Sequence, residues 1–350
     1  MTSGGDARSG AAGERAVFLD VYGFRAEIRG APEEAVNNLQ EDFAHFRCAP
    51  GKADAVVELI EQEPPYDATP PLRATVYTPR NVSFRDGNLT YVDYSGRALA
   101  IHDRRAGGLR IFSLDPELLY EAAYLFLLSQ AAEYLDRRRW HRLHALGICI
   151  GDRAVLVTLP MGGGKSTLAS ELLRYPEVKL LSDDSPLVDS SATLHAFPLR
   201  IGLLPGGEAE IPPRYLRRIN RMEFGPKILV SYEYFASRVC PQARPGVLFL
   251  GGRSLSRTCE IRPASFRAAL RAMITNCVVG LGLFQGLEFV LHARPAELAG
   301  KLRVGFSRLR HSLRLVRRSQ CYHLVLGRDT RQNGAAIMEF LRRELPAAES

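Results

Sequence analysis

The chain has 350 residues and a formal net charge of +8, with 46% hydrophobic and 24% charged positions, the balance of an ordinary soluble globular protein with room for two domains. Its six cysteines (Cys48, Cys149, Cys240, Cys259, Cys277 and Cys321) form no C-x-x-C and no cluster with histidine, which argues against a zinc site or disulfide framework and fits a reducing cytosol. The basic balance suits anionic ligands, but the arginine runs Arg137–Arg139, Arg214–Arg221 and Arg303–Arg318 carry no aromatic-interleaved RNA motif and no zinc-finger spacing, which argues against nucleic acid as partner.

Residues 1–14 are rich in Gly, Ser and Ala and have no apolar core; they read as a disordered leader and not as a signal peptide. Residues 16–30 read as one or two strands, and Pro32-Glu33-Glu34 opens a helix to Phe43 or Phe46. Residues 53–61 read as another strand. From Val76 to Phe112, short β-rich runs alternate with the turns Asp86-Gly87-Asn88, Ser95-Gly96 and Gly107-Gly108, which predicts a meander of hairpins. Asp115-Pro116-Glu117 then supplies an N-cap, a proline at the first helical position and a first-turn acid. The helix it opens ends in cationic Arg137–Arg139 and is apolar on most faces, as expected of a helix packed on several sides. Glu121, Gln130 and Glu133 interrupt its greasiest part, Leu118 to Leu135, so it does not read as a membrane span. These elements make up an expected β-rich α+β domain over residues 15–138, in a protein expected in the cytoplasm.

A second domain is expected over residues 139–350. It starts with a hairpin turning at Gly151-Asp152, whose second strand feeds LPMGGGKSTLA at 159–169. An apolar strand, a tight glycine turn and a helix start in that order make a phosphate cradle. The glycines let consecutive N–H groups converge on one spot, and the helix N-terminus adds the positive end of its dipole. Met161, Gly162, Gly163, Gly164, Lys165, Ser166 and Thr167 are the expected phosphate-binding run. Lys165 would reach the β- and γ-phosphates of ATP, and the Ser166 hydroxyl would sit on Mg²⁺. Leu159 stands where the usual phosphate loop has its first glycine. Downstream, the apolar strand 178–182 ends in Asp183-Asp184, acids well placed to hold Mg²⁺ or accept a proton. Later come an Arg-rich segment, a strand in GVLFLGG, a helix from Ser265 to Asn276, an apolar glycine-rich stretch at 278–289 expected to be buried, a strand at 319–326 and a closing helix at 331–343.

Three features in order, His144, GGGKSTLA and LLSDD, resemble the HPr kinase/phosphorylase-like proteins and related kinases, over roughly residues 140–345. The resemblance implies an α/β fold, a P-loop kinase core with a mixed sheet like that of phosphoenolpyruvate carboxykinase. It also implies that Lys165 and the Gly162–Gly164 amides hold phosphates, that Ser166 and Asp184 serve the metal, and that Asp183 or Asp184 takes the proton of an attacking hydroxyl. His144, favoured over His141 by its spacing to Lys165, would orient the acids or tune them. Arg200 and Lys227, each read as following a turn after a strand, are the candidates for extra positive charge on the moving phosphoryl group. The expected activity is transfer of the γ-phosphoryl group of ATP, with Mg²⁺, to a hydroxyl of a small molecule or a peptide serine. The competing reading is a nucleotide-dependent regulatory or binding protein without transfer. Self-association is left open.

Overall fold

A computed structural model describes residues 16–208, 210–221, 225–279 and 295–345. The expected leader and most of the glycine-rich stretch 278–289 lie outside the described residues. The chain divides into two compact units, one made of residues up to Gln40 with Arg47–Ala123, the other of Glu41–Phe46 with Tyr124 onward. The chain is mixed α/β, and among the described residues no helix is long and apolar enough to cross a membrane.

The first unit is built on an eight-stranded sheet. Its strands are β1 (Val17–Val21), β2 (Phe24–Gly30), β3 (Ala55–Ile60), β4 (Ala74–Tyr77), β5 (Val82–Asp86), β6 (Leu89–Asp93), β7 (Ala98–Asp103) and β8 (Gly108–Ser113), in the order β1-β2-β3-β8-β7-β6-β5-β4. The expected meander is there from β4 to β8, all antiparallel. β3, however, pairs in parallel with both β2 and β8, and the first of these crossovers contains the helix α1 (Glu33–Asp42). Buried and half-buried positions alternate strictly in β1 and β3, the two-residue period of a sheet with one face in a core. The helix α2 (Pro116–Arg137) starts where its cap predicts, with Asp115 Oδ1 accepting from the amides of Glu117 and Leu118. The division between the units falls inside α2, after Ala123.

The second unit contains β9 (His141–Arg142), β10 (Leu146–Ile150), β11 (Arg153–Thr158), α3 (Lys165–Leu172), β12 (Val178–Ser182), β13 (Leu187–Val188), β14 (Leu194–His195), β15 (Ile201–Leu203), β16 (Leu216–Arg221), β17 (Gly225–Val230), α4 (Tyr232–Phe235), β18 (Gln242–Arg253), β19 (Glu260–Pro263), α5 (Phe266–Met273), α6 (Pro295–Arg318), β20 (Gln320–Leu326) and α7 (Thr330–Glu344). Its main sheet runs β12-β10-β11-β18-β14-β13-β9, with β20 beside β18 and β19 beside β20. It is mixed: β10 and β11 form the expected hairpin, while β11, β18 and β20 are parallel neighbours. A smaller sheet runs β15-β17-β16.

The two-residue period of the central strands divides their side chains between two cores. Leu146, Ile148, Val155 and Val157 join Leu168 and Leu172 of α3 and Ile337, Met338 and Leu341 of α7. Cys149, Ala154 and Leu156 join Ala269 and Met273 of α5 and Leu315 and Val316 of α6. Each fully buried aliphatic side chain contributes roughly 1.5–3 kcal/mol, so the sheet is anchored on both faces and its strand ends are fixed. β11 and β12 thereby deliver their C-terminal loops from a rigid base.

One expectation is corrected here. Cys149 and Cys240 form a disulfide, contrary to the reading of the cysteine spacing. β12 brings them together: Cys149 pairs with Lys179 on one side of that strand, and the Cys240 amide donates to the Leu180 carbonyl on the other. The arginine-rich runs are ordinary secondary structure. Arg217, Arg218 and Arg221 lie on β16, and Arg303 to Arg318 on α6, a helix the sequence reading passed over because its arginines mask the apolar period. Lys227 lies on β17, two residues after the connection from β16 and paired across from Ile219, and Arg200 lies in the stretch between β14 and β15.

Candidate functional site

β11 ends at Thr158, and the chain curls back through residues 159–164 before α3 begins at Lys165. Gly162 and Gly164 have φ of 72° and 96°, the left-handed region that glycine enters without a Cβ clash. Between them, the Gly163 amide donates to the Pro160 carbonyl at 2.9 Å. This bond closes the turn between the two glycines. Met161, within the curl, and Thr167, on α3, are exposed. The loop is seated by Gly251 of β18, where a Cβ would come within 2.4 Å of the Thr158 carbonyl.

The predicted residues converge at this loop. Lys165 Nζ donates to His144 Nε2 at 2.9 Å and to the Leu159 carbonyl at 2.8 Å, and lies 3.7 Å from Asp184 Oδ1. His144 presents Nδ1 to Asp184 Oδ1 at 3.3 Å, off the line of a hydrogen bond. Ser166, one residue into α3, donates to Asp183 Oδ2 at 3.2 Å. Ser182, which the sequence reading did not single out, fixes the acidic turn by accepting from the Ser185 amide at 3.0 Å.

Burial sets the protonation states. Lys165 and His144 are both pulled below their ordinary values, first by burial, with the Asp184 charge opposing. A neutral His144 is what allows Nε2 to accept from the ammonium. Asp183, at 8% exposure, is pushed up to about 6 by burial and then by the neighbouring Asp184 carboxylate, with Lys227, Ser166 and Arg200 pulling the other way. Asp184 keeps a side chain 43% exposed. Two adjacent acids thus differ in environment: one is buried and hard to ionise, the other open to solvent.

Arg200 and Lys227 both bear on Asp183 electrostatically, but they are held differently. Arg200 Nη1 binds Asp42 Oδ2 at 2.6 Å, and its guanidinium stacks 3.7 Å above the centroid of Tyr124. The Lys227 side chain lies across Gly202, where a Cβ would collide with it. Asp42 also receives Arg217 Nη2 at 2.7 Å. The sequence reading missed Asp42, Tyr124 and Arg217, which lie far apart along the chain. It also missed Arg253, whose guanidinium nitrogen is 3.5 Å from where a Cβ on Gly164 would sit. Arg253 had a signal: it ends an apolar run through Gly251-Gly252 on the strand parallel to β11.

The donors Ser166, Asp183 and Asp184 are all hard oxygens. Among the described residues, no group of three or more His, Cys, Asp or Glu could by itself cage a metal ion. One hydroxyl and one or two carboxylates fit Mg²⁺ held jointly with substrate phosphates, the manner in which that ion is commonly bound. No protein-family model matches this chain, and no curated protein matches it.

Proposed function

We propose that the chain is an ATP-dependent phosphotransferase with a P-loop kinase core of the HPr-kinase-like type, and that it moves the γ-phosphoryl group to a hydroxyl of a small molecule or peptide. The observation that carries this reading is the Ser166 Oγ to Asp183 Oδ2 contact of 3.2 Å beside the Lys165–His144–Asp184 cluster. It joins a phosphate-type loop to a buried acid whose affinity for protons has been raised. A buried acid with raised proton affinity suits a group that takes the proton of an acceptor hydroxyl.

In this reading Lys165 leaves the loop carbonyls for the β- and γ-phosphates, and Arg253 and Lys227 add positive charge around them. Ser166 and Asp184 would hold Mg²⁺, which would supply neutralising charge to the phosphates. The acceptor oxygen forms its bond to the γ-phosphorus as the bond to the β–γ bridging oxygen breaks, and the acceptor proton passes to Asp183. A base tuned to about 6 works close to neutral pH, where proton transfer is most effective. His144 stays neutral and steers Lys165 and Asp184. Arg200 is anchored on Asp42, and its charge bears on Asp183. Phosphoryl transfer asks little covalent chemistry of a protein, so this positioning and charge are the main contribution.

The test is transfer from γ-labelled ATP with Mg²⁺ to a pool of free serine, peptides, polyols and cell extract. Label on one acceptor, lost in Lys165→Ala and in Asp183→Asn, supports the reading. Tight ATP binding with no label on any acceptor overturns it in favour of a nucleotide-dependent regulator.

A further inference from the structure

Away from the glycine loop, three side chains distant in sequence line up within the second unit. Asp136 Oδ1, near the end of α2, lies 2.7 Å from His141 Nδ1; His141 Nε2 lies 2.8 Å from the Ser307 hydroxyl on α6. Burial would raise the Asp136 carboxyl, but the His141 hydrogen bond and the Arg308 guanidinium, 2.6 Å away, outweigh it and hold it below its ordinary value. A charged Asp136 keeps the imidazole proton on Nδ1, which leaves Nε2 to accept from Ser307. His141 is fully buried, and His311 packs edge-on against it with ring centroids 4.6 Å apart.

Ser307 is the open end of this relay. It is half-buried and lines a cavity of about 430 Å³ whose wall also carries Arg139, Arg303, Arg310 and Arg314. Four arginines line one cavity of small-molecule size, Arg314 also donating from Nη1 to the Ser190 carbonyl, and such a lining suits a polyanion, because the planar fork of arginine matches phosphate oxygens.

We propose that this is a second reactive centre, in which Ser307 attacks the phosphoryl group of a small phosphate monoester bound by the four arginines. The inference stands on its own geometry and does not depend on the kinase reading. The Ser307 Oγ–phosphorus bond forms as the bond from phosphorus to the alcohol oxygen breaks. The Ser307 proton passes to His141 Nε2 and from there to the departing alkoxide, leaving phosphoserine and free alcohol. Water then attacks the phosphoserine, giving its proton to His141. The Ser307 Oγ–phosphorus bond breaks, and Ser307 recovers its proton as inorganic phosphate leaves. The arginines carry the charge of the phosphoryl oxygens, and Arg308 is a positioning residue acting through Asp136.

The experiment uses the full chain with 4-nitrophenyl phosphate in EDTA and without nucleotide, which removes the conditions for ATP-dependent transfer. The expected result is 4-nitrophenol release, with phosphate trapped on Ser307 in acid-quenched samples mapped by peptide mass. Ser307→Ala loses both, and His141→Gln lowers turnover by roughly 100- to 10 000-fold. If the His141 variant does not fold, the acid-quenched wild-type protein still decides the matter. Turnover that survives in Ser307→Ala, or no turnover and no phosphate on Ser307, overturns the proposal.

Discussion

Lys165 and His144 are 21 residues apart and share a hydrogen bond of 2.9 Å in which the ammonium is the donor and the imidazole Nε2 the acceptor. The same ammonium is held by the Leu159 carbonyl, so the lysine that would serve a phosphate is stored against its own loop. Removing it takes away both the charge and the means of drawing a phosphate down. Lys165→Ala is expected to cut label transfer by about 100- to 1000-fold, the cost of deleting one well-placed charge donor. Transfer within a factor of two of the parent would exclude Lys165 from the reaction.

Asp183 gives a prediction in which stability and activity move in opposite directions. Its pKa is raised to about 6 in the folded chain, so the folded state holds this proton more tightly than the unfolded state does. The associated stability is fully present below the ordinary carboxylate range and is lost as pH rises through about 6. Asp183→Asn removes the buried charge. It should therefore be more stable than the parent at pH 7.5, by roughly 1–3 kcal/mol, and indistinguishable from it near pH 4. Parallel thermal melts at the two pH values check this.

The rate should carry the complementary signature. If the ionised form of Asp183 is the base, label transfer rises with pH through about 6 and then levels. A profile flat from pH 5 to pH 8 would assign the proton to another group.

Asp42 receives Arg200 at 2.6 Å and Arg217 at 2.7 Å while only 3% exposed. Taking away one partner of a buried ion cluster strands the others, at a typical cost of about 3–5 kcal/mol. Asp42→Ala is expected to lower the urea midpoint of the full chain accordingly. Asp42→Asn should recover part of the loss through its amide oxygen. A loss below about 1 kcal/mol in the alanine variant would mean that water reaches the cluster.

A fourth site tests the seating of the loop. Gly251→Ala puts a methyl group 2.4 Å from the Thr158 carbonyl and 2.7 Å from Leu159, so β18 or the loop must shift. The expected outcome is a loss of roughly 1–3 kcal/mol, together with weaker ATP binding. Gly252→Ala is the control, because no atom lies within 4 Å of its added methyl.

Much of the local structure was legible because it is written in short patterns. The strand, glycine turn and helix at 153–172 follow from an apolar run, residues that tolerate positive φ and good helix formers. The acidic turn after β12 follows the same logic, and so does the hairpin at Gly151. Asp42 could not be found this way: it is an acid at the end of an ordinary helix, and only tertiary structure brings it to Arg200 and Arg217. The Cys149–Cys240 pair escaped for a similar reason, since its partners meet across β12 and 91 residues of chain. α6 was hidden because arginines occupy positions that a search for apolar periodicity discards.

The segment 41–46 belongs with the second unit although it lies inside the first unit's stretch of chain. Phe46 packs on Phe197, His45 bonds Tyr232, and Asp42 reaches Arg200 and Arg217 across 158 and 175 residues. During synthesis these six residues emerge well before any of those partners, and they wait for them. Loop closure on that scale is slow compared with hairpin or helix formation, so docking of the segment should be a late event in refolding. It also follows that the gene cannot be cut cleanly at residue 124: a fragment starting there would lack its own Asp42, whatever its remaining sequence encodes.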